Sequence, residues 1–386
     1  MEVYTDKTQC TGCAACFSIC SKKAITMTED AEGFLYPVID NLKCVKCGKC
    51  IKVCRQRTNW NYAEATKIFI GQNKNDTELK ASSSGAIFPA IAEYILNQNG
   101  LVCGAAFDSE NVCRHFIVDN KEDLIKLLGS KYVQSVVGDV YKRIEKYLTA
   151  GKKVLFSGTP CQVVGLKTYL NNVCGGGEKK YEEDSLILVD ILCHGCPSPT
   201  VFKKYLSYRQ QEDKGDKIVK ISFRDKTYGW RNFYNTYHYQ NGVVYSVPCG
   251  EDMYFRGFLR NVFLRPSCYK CEFKQLERVS DITLGDSWSM ESIVPSVDNG
   301  KGHSFIICHT KKALRIIAEL DHVISLLPVS KEIENGGLYA SAYMNPERKR
   351  LFRNLDKMSF EKLYARYFSD RLILKIRRTI ARRTQR

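Results

Sequence analysis

Residues 152–172 read KKVLFSGTPCQVVGLKTYLNN. The apolar run at its start reads as a strand, Gly158 to Pro160 break it, and the run from Gln162 carries helical spacing. The same alternation extends on both sides. LVCGAAF (101–107) and SLILVDILC (185–193) are strand-like, whereas KEDLIKLLG (121–129) and VGDVYKRIEKYLTAG (137–151) are helical. Further upstream, TKIFIGQ (66–72) reads as a strand and SSGAIFPAIAEYILNQNG (83–100) as a helix stopped by Gly100. Strands alternating with helices imply an α/β layer on a largely parallel sheet. The aromatic stretch ISFRDKTYGWRNFYNTYHYQNGVVYSV (221–247) breaks the pattern and predicts antiparallel strands turning at Asn241 and Gly242.

With 386 residues, 44% hydrophobic and 11% aromatic, the chain has room for two or three domains and a well-buried core. No apolar run reaches membrane-spanning length, and MEVYTDKTQC offers no apolar core of a secretory signal, so a cytoplasmic location is expected. Eighteen cysteines in such a chain indicate clusters, metal or redox chemistry rather than structural disulfides. The net charge of +16 is uneven, since residues 348–386 hold fourteen Lys or Arg against three Asp or Glu. No G-x-G-x-x-G fingerprint and no P-loop occurs, which argues against a Rossmann dinucleotide site and against an NTPase.

Cys10, Cys13, Cys16 and Cys20 form C-x-x-C-x-x-C-x-x-x-C, and Cys44, Cys47, Cys50 and Cys54 repeat it. Between them AITMTEDAEGFLYPVID (24–40) reads as a hairpin turning at Asp30 to Gly33. In two-cluster ferredoxins three closely spaced thiolates wrap one cubane and the fourth reaches across to the other. Cys10, Cys13, Cys16 and Cys54 are therefore expected on one 4Fe-4S cluster, and Cys44, Cys47, Cys50 and Cys20 on a second. The proline that often follows the fourth cysteine is Ser21 in one run and Arg55 in the other. Proline is not a ligand, so ligation is unaffected.

Ten cysteines remain. Cys103 and Cys308 lie in strand-like runs and read as small core residues, as by default do Cys113, Cys174 and Cys249. Cys268 and Cys271, in SCYKCEF (267–273), are half of a four-ligand site. One completion adds Cys193 and Cys196 of CHGC to make a zinc or rubredoxin-type site. The other takes Cys161 and Cys193, each after a strand and before a helix, at the sheet edge where ligands bind in open α/β folds. Spacing alone leaves both open.

Taken together, SSSGAIF, GSKYVQS, GTPCQVVGLK, DILCHGCPSP, FRDKTYGW, LRPSCYKCEF and SDITLGDSW, in that order, resemble the beta subunit of coenzyme F420 hydrogenase and related dehydrogenase subunits, from about Thr66 to Lys312. The resemblance implies an FAD-binding α/β domain with its own 4Fe-4S cluster on Cys161, Cys193, Cys268 and Cys271, giving three 4Fe-4S clusters in all. Cys196 falls on a position that is not a ligand in the family. The resemblance also implies flavin contacts at Ser83, Ser84 and Gly85, where free N–H groups at a helix start suit a phosphate, and at Lys131, Tyr132 and Ser135. His194 is a candidate proton donor to substrate, or a hydrogen-bonding neighbour of the cluster. Arg224 and Lys226, with Trp230, are candidates to hold an anionic substrate or acidic partner; Asp281, Asp286 and Trp288 read as a turn shaping the pocket.

The expected fold class is α/β (α+β overall): a ferredoxin-like N-terminal module, an α/β flavin-binding domain with a mixed sheet, and a basic helical tail. The expected division is 1–60, 66–150, 151–345 and 346–386. The implied function is an iron-sulfur flavoprotein oxidoreductase linking 4Fe-4S clusters and FAD to coenzyme F420, a deazaflavin, or another small organic substrate, with ferredoxin or another redox protein as partner. The rivals are an electron-transfer subunit without its own substrate and a nucleic-acid-binding iron-sulfur protein. RLILKIRRTIARRTQR (371–386) has seven basic and no acidic residues, with Leu372, Ile373, Ile376 and Ile380 at helical spacing. It reads first as a solvated helix packed on the body, then as a membrane-surface contact, and last as a nucleic-acid contact.

Overall fold

The computed structural model describes residues 2–54, 63, 67–173, 181–288, 295–329 and 336–384. The expected boundary at 60/66, Arg55, Cys174 and the end of the tail lie outside the described residues.

Thirteen strands among the described residues form three sheets. β1 (Ile25–Glu29) and β2 (Leu35–Ile39) make the N-terminal hairpin, with Glu29 opposite Leu35. Asp30 shapes its turn by accepting from the backbone N–H of Glu32 and of Phe34. The large sheet has the order β13-β3-β12-β11-β7-β6-β4-β5. Its members are β3 (Lys67–Asn73), β4 (Leu101–Phe107), β5 (Cys113–Val118), β6 (Val154–Gly158), β7 (Leu186–Ile191), β11 (Ile282–Asp286), β12 (Ser304–Cys308) and β13 (Ile324–Val329).

The sheet is more mixed than the strand-helix alternation suggests. β4, β6, β7 and β11 pair in parallel, while the outer pairings β4–β5, β11–β12, β12–β3 and β3–β13 are antiparallel. The parallel centre consists of the segments whose connections carry helices long enough to cross back over the sheet, such as Pro160–Val173 between β6 and β7. Those strands are apolar on both faces, as a sheet covered on both sides requires: Val154, Leu155 and Phe156 are all fully buried. Cys103 and Cys308 are fully buried in β4 and β12, as expected of core residues.

The aromatic stretch forms a separate antiparallel sheet of β8 (Ile218–Asp225), β9 (Tyr234–Tyr239) and β10 (Val244–Pro248). It packs through Phe223 and Tyr237 on a cluster that includes Phe202, Tyr205, Tyr254 and Phe263. Asp252 sits within this cluster, accepting from the hydroxyls of Tyr205 at 2.8 Å and Tyr237 at 3.1 Å.

The N-terminal module does not have a core to itself. Val3, Ala14, Ala15, Cys16, Ile19, Cys50 and Val53 join Tyr141, Ile144, Val163, Leu166 and Leu170 of the body in one apolar cluster. The helix Ala15–Ile19 lies on the helix Pro160–Val173. Contact there is close enough to require glycine: a Cβ on Gly165 would stand 2.8 Å from the Cβ of Cys13. The basic tail is helical over Leu372–Thr384; it buries Leu374 and leaves Leu372, Ile373 and Ile376 exposed. Arg377 pairs with Glu347 at 2.7 Å.

Candidate functional site

Strand pairing brings two of the central cysteines together. β6 and β7 are adjacent and parallel, with Gly158 opposite Asp190, so the turns leaving them emerge side by side. Cys161 lies in the first turn of the helix after β6, and Cys193 two residues beyond β7. Cys268 lies in the short 3-10 helix Pro266–Lys270 and Cys271 just after it. These four and Cys196 line one cavity of about 290 Å³.

Cys196 is thus placed among the other four. Its backbone N–H donates to Cys268 Sγ at 3.3 Å. Its thiol bonds to both Cys193 and Cys268, which lowers their pKa values, that of Cys268 to about 7. Cys196 itself is pushed well up by the same two bonds, so it is the proton holder of the group.

The N-terminal cysteines fall into two groups. Cys10, Cys13, Cys16 and Cys54 interact with one another and line the same 290 Å³ cavity as the central five. Cys20, Cys44, Cys47 and Cys50 line a separate, smaller cavity at the surface. Each group draws one cysteine from the other run, Cys54 in the first and Cys20 in the second.

Arg265 locks the module onto the central cysteines. It is 1% exposed, and its guanidinium donates to Cys10 O at 2.8 Å, Gln134 Oε1 at 2.9 Å and Leu35 O at 2.9 Å. One nitrogen also lies 3.7 Å from Cys10 Sγ, while the charge helps to lower the pKa of Cys268. Its own N–H donates to Cys196 O at 2.8 Å. The guanidinium stacks 4.3 Å from the Tyr36 ring centre. Gly12, at φ 70°, admits it, since a Cβ there would lie 2.8 Å from the guanidinium. Sequence reading missed Arg265, because an arginine three residues before a C-x-x-C looks like any surface charge.

A second cavity, about 720 Å³, lies on the other side of the 193–196 segment. Cys193, His194, Gly195 and Cys196 line both cavities. Its remaining wall includes Ser83, Ser84, Lys131, Tyr132 and Ser135. Ser83 Oγ accepts from Ser130 N at 2.8 Å, and Ser84 Oγ donates to His303 O at 2.8 Å. Ser135 Oγ accepts from Gln162 Nε2 at 3.0 Å. Tyr132 packs 4.9 Å from the rings of Phe255 and Phe258.

Two of the anticipated contacts are arranged differently. Gly85 is not on the cavity wall; its N–H, expected to be free, donates to Ser304 Oγ at 2.9 Å. A Cβ there would lie 2.4 Å from Gly71 O, so glycine is present for packing. The Lys131 ammonium is turned onto the carbonyls of Leu127, Leu128 and Gly129 at the end of the helix Lys121–Leu127. Burial lowers its pKa to about 8.

Arg224, Lys226 and Trp230, read above as candidates to hold an anionic substrate or acidic partner, hold the serine loop. Arg224 sits at a β8 bulge with φ 60°, pairs with Asp286 at 2.6 Å and donates to Ser83 O at 2.7 Å. Trp230 Nε1 donates to Ser83 O at 3.1 Å, and Lys226 Nζ to Ser84 O at 2.5 Å. Trp288, on the cavity wall, stacks on Trp230 at 4.5 Å. Asp281 is structural, accepting from Leu188 N and Thr310 Oγ1, each at 2.9 Å.

Three residues of the 720 Å³ wall each carry a buried side-chain atom without a hydrogen-bond partner in the protein: Ser82 Oγ, His115 Nδ1 and Arg224 Nε. His115 is held by a 3.2 Å contact to Ser157 O and by stacking on Phe156, and burial lowers its pKa to about 4. It lies in β5, a strand the sequence reading did not identify. His194 bonds through Nε2 to Asn261 Oδ1 at 2.6 Å, and burial lowers its pKa, so it is neutral at pH 7.

Comparison with known proteins gives two family matches. Residues 151–331 match the model for the C terminus of the coenzyme F420 hydrogenase/dehydrogenase beta subunit. Residues 9–57 match the model described as 4Fe-4S dicluster domain. No curated protein matches. Among solved structures, a chain of the F420-reducing [NiFe] hydrogenase complex from Methanosarcina barkeri is similar at 17% identity and a TM-score of 0.45, covering 78% of this chain and 91% of that one.

Proposed function

Residues 151–331 belong to the coenzyme F420 hydrogenase/dehydrogenase beta-subunit family and residues 9–57 to the 4Fe-4S dicluster domains, and from that premise we propose an iron-sulfur flavoprotein oxidoreductase that exchanges electrons between three 4Fe-4S clusters, FAD and a small organic substrate, coenzyme F420 or another. The family is one of oxidoreductase subunits, and the chain is an iron-sulfur electron-transfer protein related to them. The observation that carries the finer reading is the shared wall. One segment, Cys193 to Cys196, borders the cavity lined by nine cysteines and also the 720 Å³ cavity.

In this reading Cys10, Cys13, Cys16 and Cys54 hold one cluster, Cys20, Cys44, Cys47 and Cys50 the second, and Cys161, Cys193, Cys268 and Cys271 the third. The first and third share a cavity, which suits one-electron relay. The larger cavity is the one assigned to the flavin, on its size and on the polar side chains among its lining residues. Ser83, Ser84, Tyr132 and Ser135 line its site, joined by His115 and Arg224. When bound, a flavin converts one-electron into two-electron transfer.

The chain's own residues prepare that site. Arg224, Lys226 and Trp230 fix the loop Ser82–Gly85 through its carbonyls, so its serine side chains are preset. Phe233, Phe255 and Phe258 exclude water from one wall. His194 borders both cavities; bonded through Nε2 to a carbonyl-type oxygen, its Nδ1 is an acceptor available to hold a proton in transit. The proposed units remain 1–60, 66–150, 151–345 and 346–386, in the cytoplasm. A contact of the tail with an anionic membrane surface rests on the exposed Leu372, Ile373 and Ile376 among its arginines.

Anaerobic purification with iron and flavin assays tests the reading. About 12 Fe per chain and about one FAD are expected. A result near 8 Fe with zinc would rule out the third cluster, and flavin-free protein that binds no added FAD would rule out the flavoprotein.

A further inference from the structure

The second cysteine group sits inside a collar of lysines. Cys20, Cys44, Cys47 and Cys50 line their small cavity, and Cys47 is exposed. Lys22, Lys23, Lys43, Lys46, Lys49 and Lys52 around them are all exposed. The last four fall every third residue, one before Cys44, Cys47 and Cys50 and one after. From 41 to 54 there is no acidic residue; Asp40, just outside, pairs with Lys43 at 3.1 Å. Within the collar Leu42 is 99% exposed and Val45 60% exposed. Two bare aliphatic side chains rimmed by solvated ammonium groups have the composition of a docking surface.

The placement of this group gives the collar a purpose. The other two groups face the inner cavity, and the second group lines neither inner cavity. It is the group through which a protein too large to enter the molecule would exchange electrons. We propose that the lysine collar, with Leu42 and Val45, is the docking surface for an acidic one-electron carrier protein of the ferredoxin class. The inference rests on the cluster reading above and adds the partner and its point of contact. The exchange is a single electron from the carrier's reduced cluster to the oxidised cluster at Cys20, Cys44, Cys47 and Cys50, with no bond made or broken and no proton moved.

Charge complementarity selects an acidic carrier. Exposed ammonium groups keep their hydration, so they add little stability to the module, whereas a negative surface approaching them gains attraction over about 10 Å at 0.1 M salt. Such attraction speeds encounter and fixes orientation, and the apolar pair supplies short-range contact.

The test uses the full chain, purified anaerobically with its clusters, a purified acidic ferredoxin as probe, and methyl viologen radical as a small reductant. Ferredoxin affinity is expected to fall about tenfold or more between roughly 50 and 500 mM NaCl. The variant Lys43→Glu/Lys46→Glu/Lys49→Glu is expected to weaken binding about tenfold or more and to slow cluster reduction by ferredoxin in proportion, with iron content and methyl viologen reduction unchanged. The corresponding triple alanine variant weakens binding in the same direction by less. Salt-independent binding, or unchanged affinity in the charge-reversed protein, overturns the proposal. If methyl viologen reduces no second four-iron centre in the unaltered protein, the cluster reading itself fails and takes this one with it.

Discussion

Cys161→Ala is expected to remove about four of about twelve irons per chain, while Cys196→Ala leaves all of them in place. The two thiols line the same cavity, so neighbourhood does not separate them. Both are raised well above the ordinary thiol pKa, but by different causes. Cys196 bonds to Cys193 and Cys268 and is pushed well above its ordinary pKa by those bonds, the state of a donor that keeps its hydrogen. Cys161 is raised chiefly by burial, with Cys193, Cys271 and Cys268 as its charged neighbours and Thr159 Oγ1 at 3.1 Å. A cluster core next to Cys161 would neutralise the penalty of a buried thiolate there. Losing the proton donor at Cys196 leaves four thiolates but removes a hydrogen bond to two of them, which lowers the reduction potential without loss of iron. Iron analysis with electron paramagnetic resonance of the reduced protein separates the variants; equal iron loss in both would return Cys196 to the ligand set.

Arg265→Met is expected to destabilise the protein by about 3–5 kcal/mol, because three buried acceptors, Cys10 O, Leu35 O and Gln134 Oε1, would each lose a donor at a cost of about 1–3 kcal/mol. The melting temperature should fall by about 5 °C. The cluster at Cys10, Cys13, Cys16 and Cys54 should be the first lost, since the guanidinium touches its loop. Arg265→Lys keeps the charge and should rescue little, because one ammonium cannot reach three acceptors in the directions a planar fork does. A variant with unchanged melting and full iron would show that the module is held by its apolar contacts alone.

Much of the site was legible because cysteine spacing is local. Two C-x-x-C-x-x-C-x-x-x-C runs specify both the clustering and the exchange of Cys20 and Cys54, since three cysteines in seven residues can wrap one object and the fourth cannot. Cys161 and Cys193 were legible as strand-end residues, because β6 and β7 are short, apolar and separated by a well-marked helix. The antiparallel flanks were not: β12 and β13 pair with β3, remote in sequence, and β5, in a hairpin with β4, is a short run of mixed polar and apolar residues, CRHFIV. The roles of Arg224 and Lys226 were also hidden: an alternating strand does not announce a bulge, and the bulge at Arg224 turns a nominal surface residue inward. Gly85 looked like a phosphate donor because helix starts usually have free N–H groups, but Ser304, from a distant strand, already takes it. The misses at Gly85, β12 and β13 are long-range pairings overriding a local rule.

The single apolar core joining Val3, Ala15 and Val53 to Ile144, Val163 and Leu170, fastened by Arg265, has a consequence for timing. In many redox proteins a small carrier domain swings on a tether, collecting an electron in one posture and delivering it in another, and thickening the solvent slows every turnover. Here the module is part of the body, so in the proposed relay the inner hops would await no such swing. Viscosity would bear only on arrival and departure at the two ends, and the stretch between them would keep its own clock.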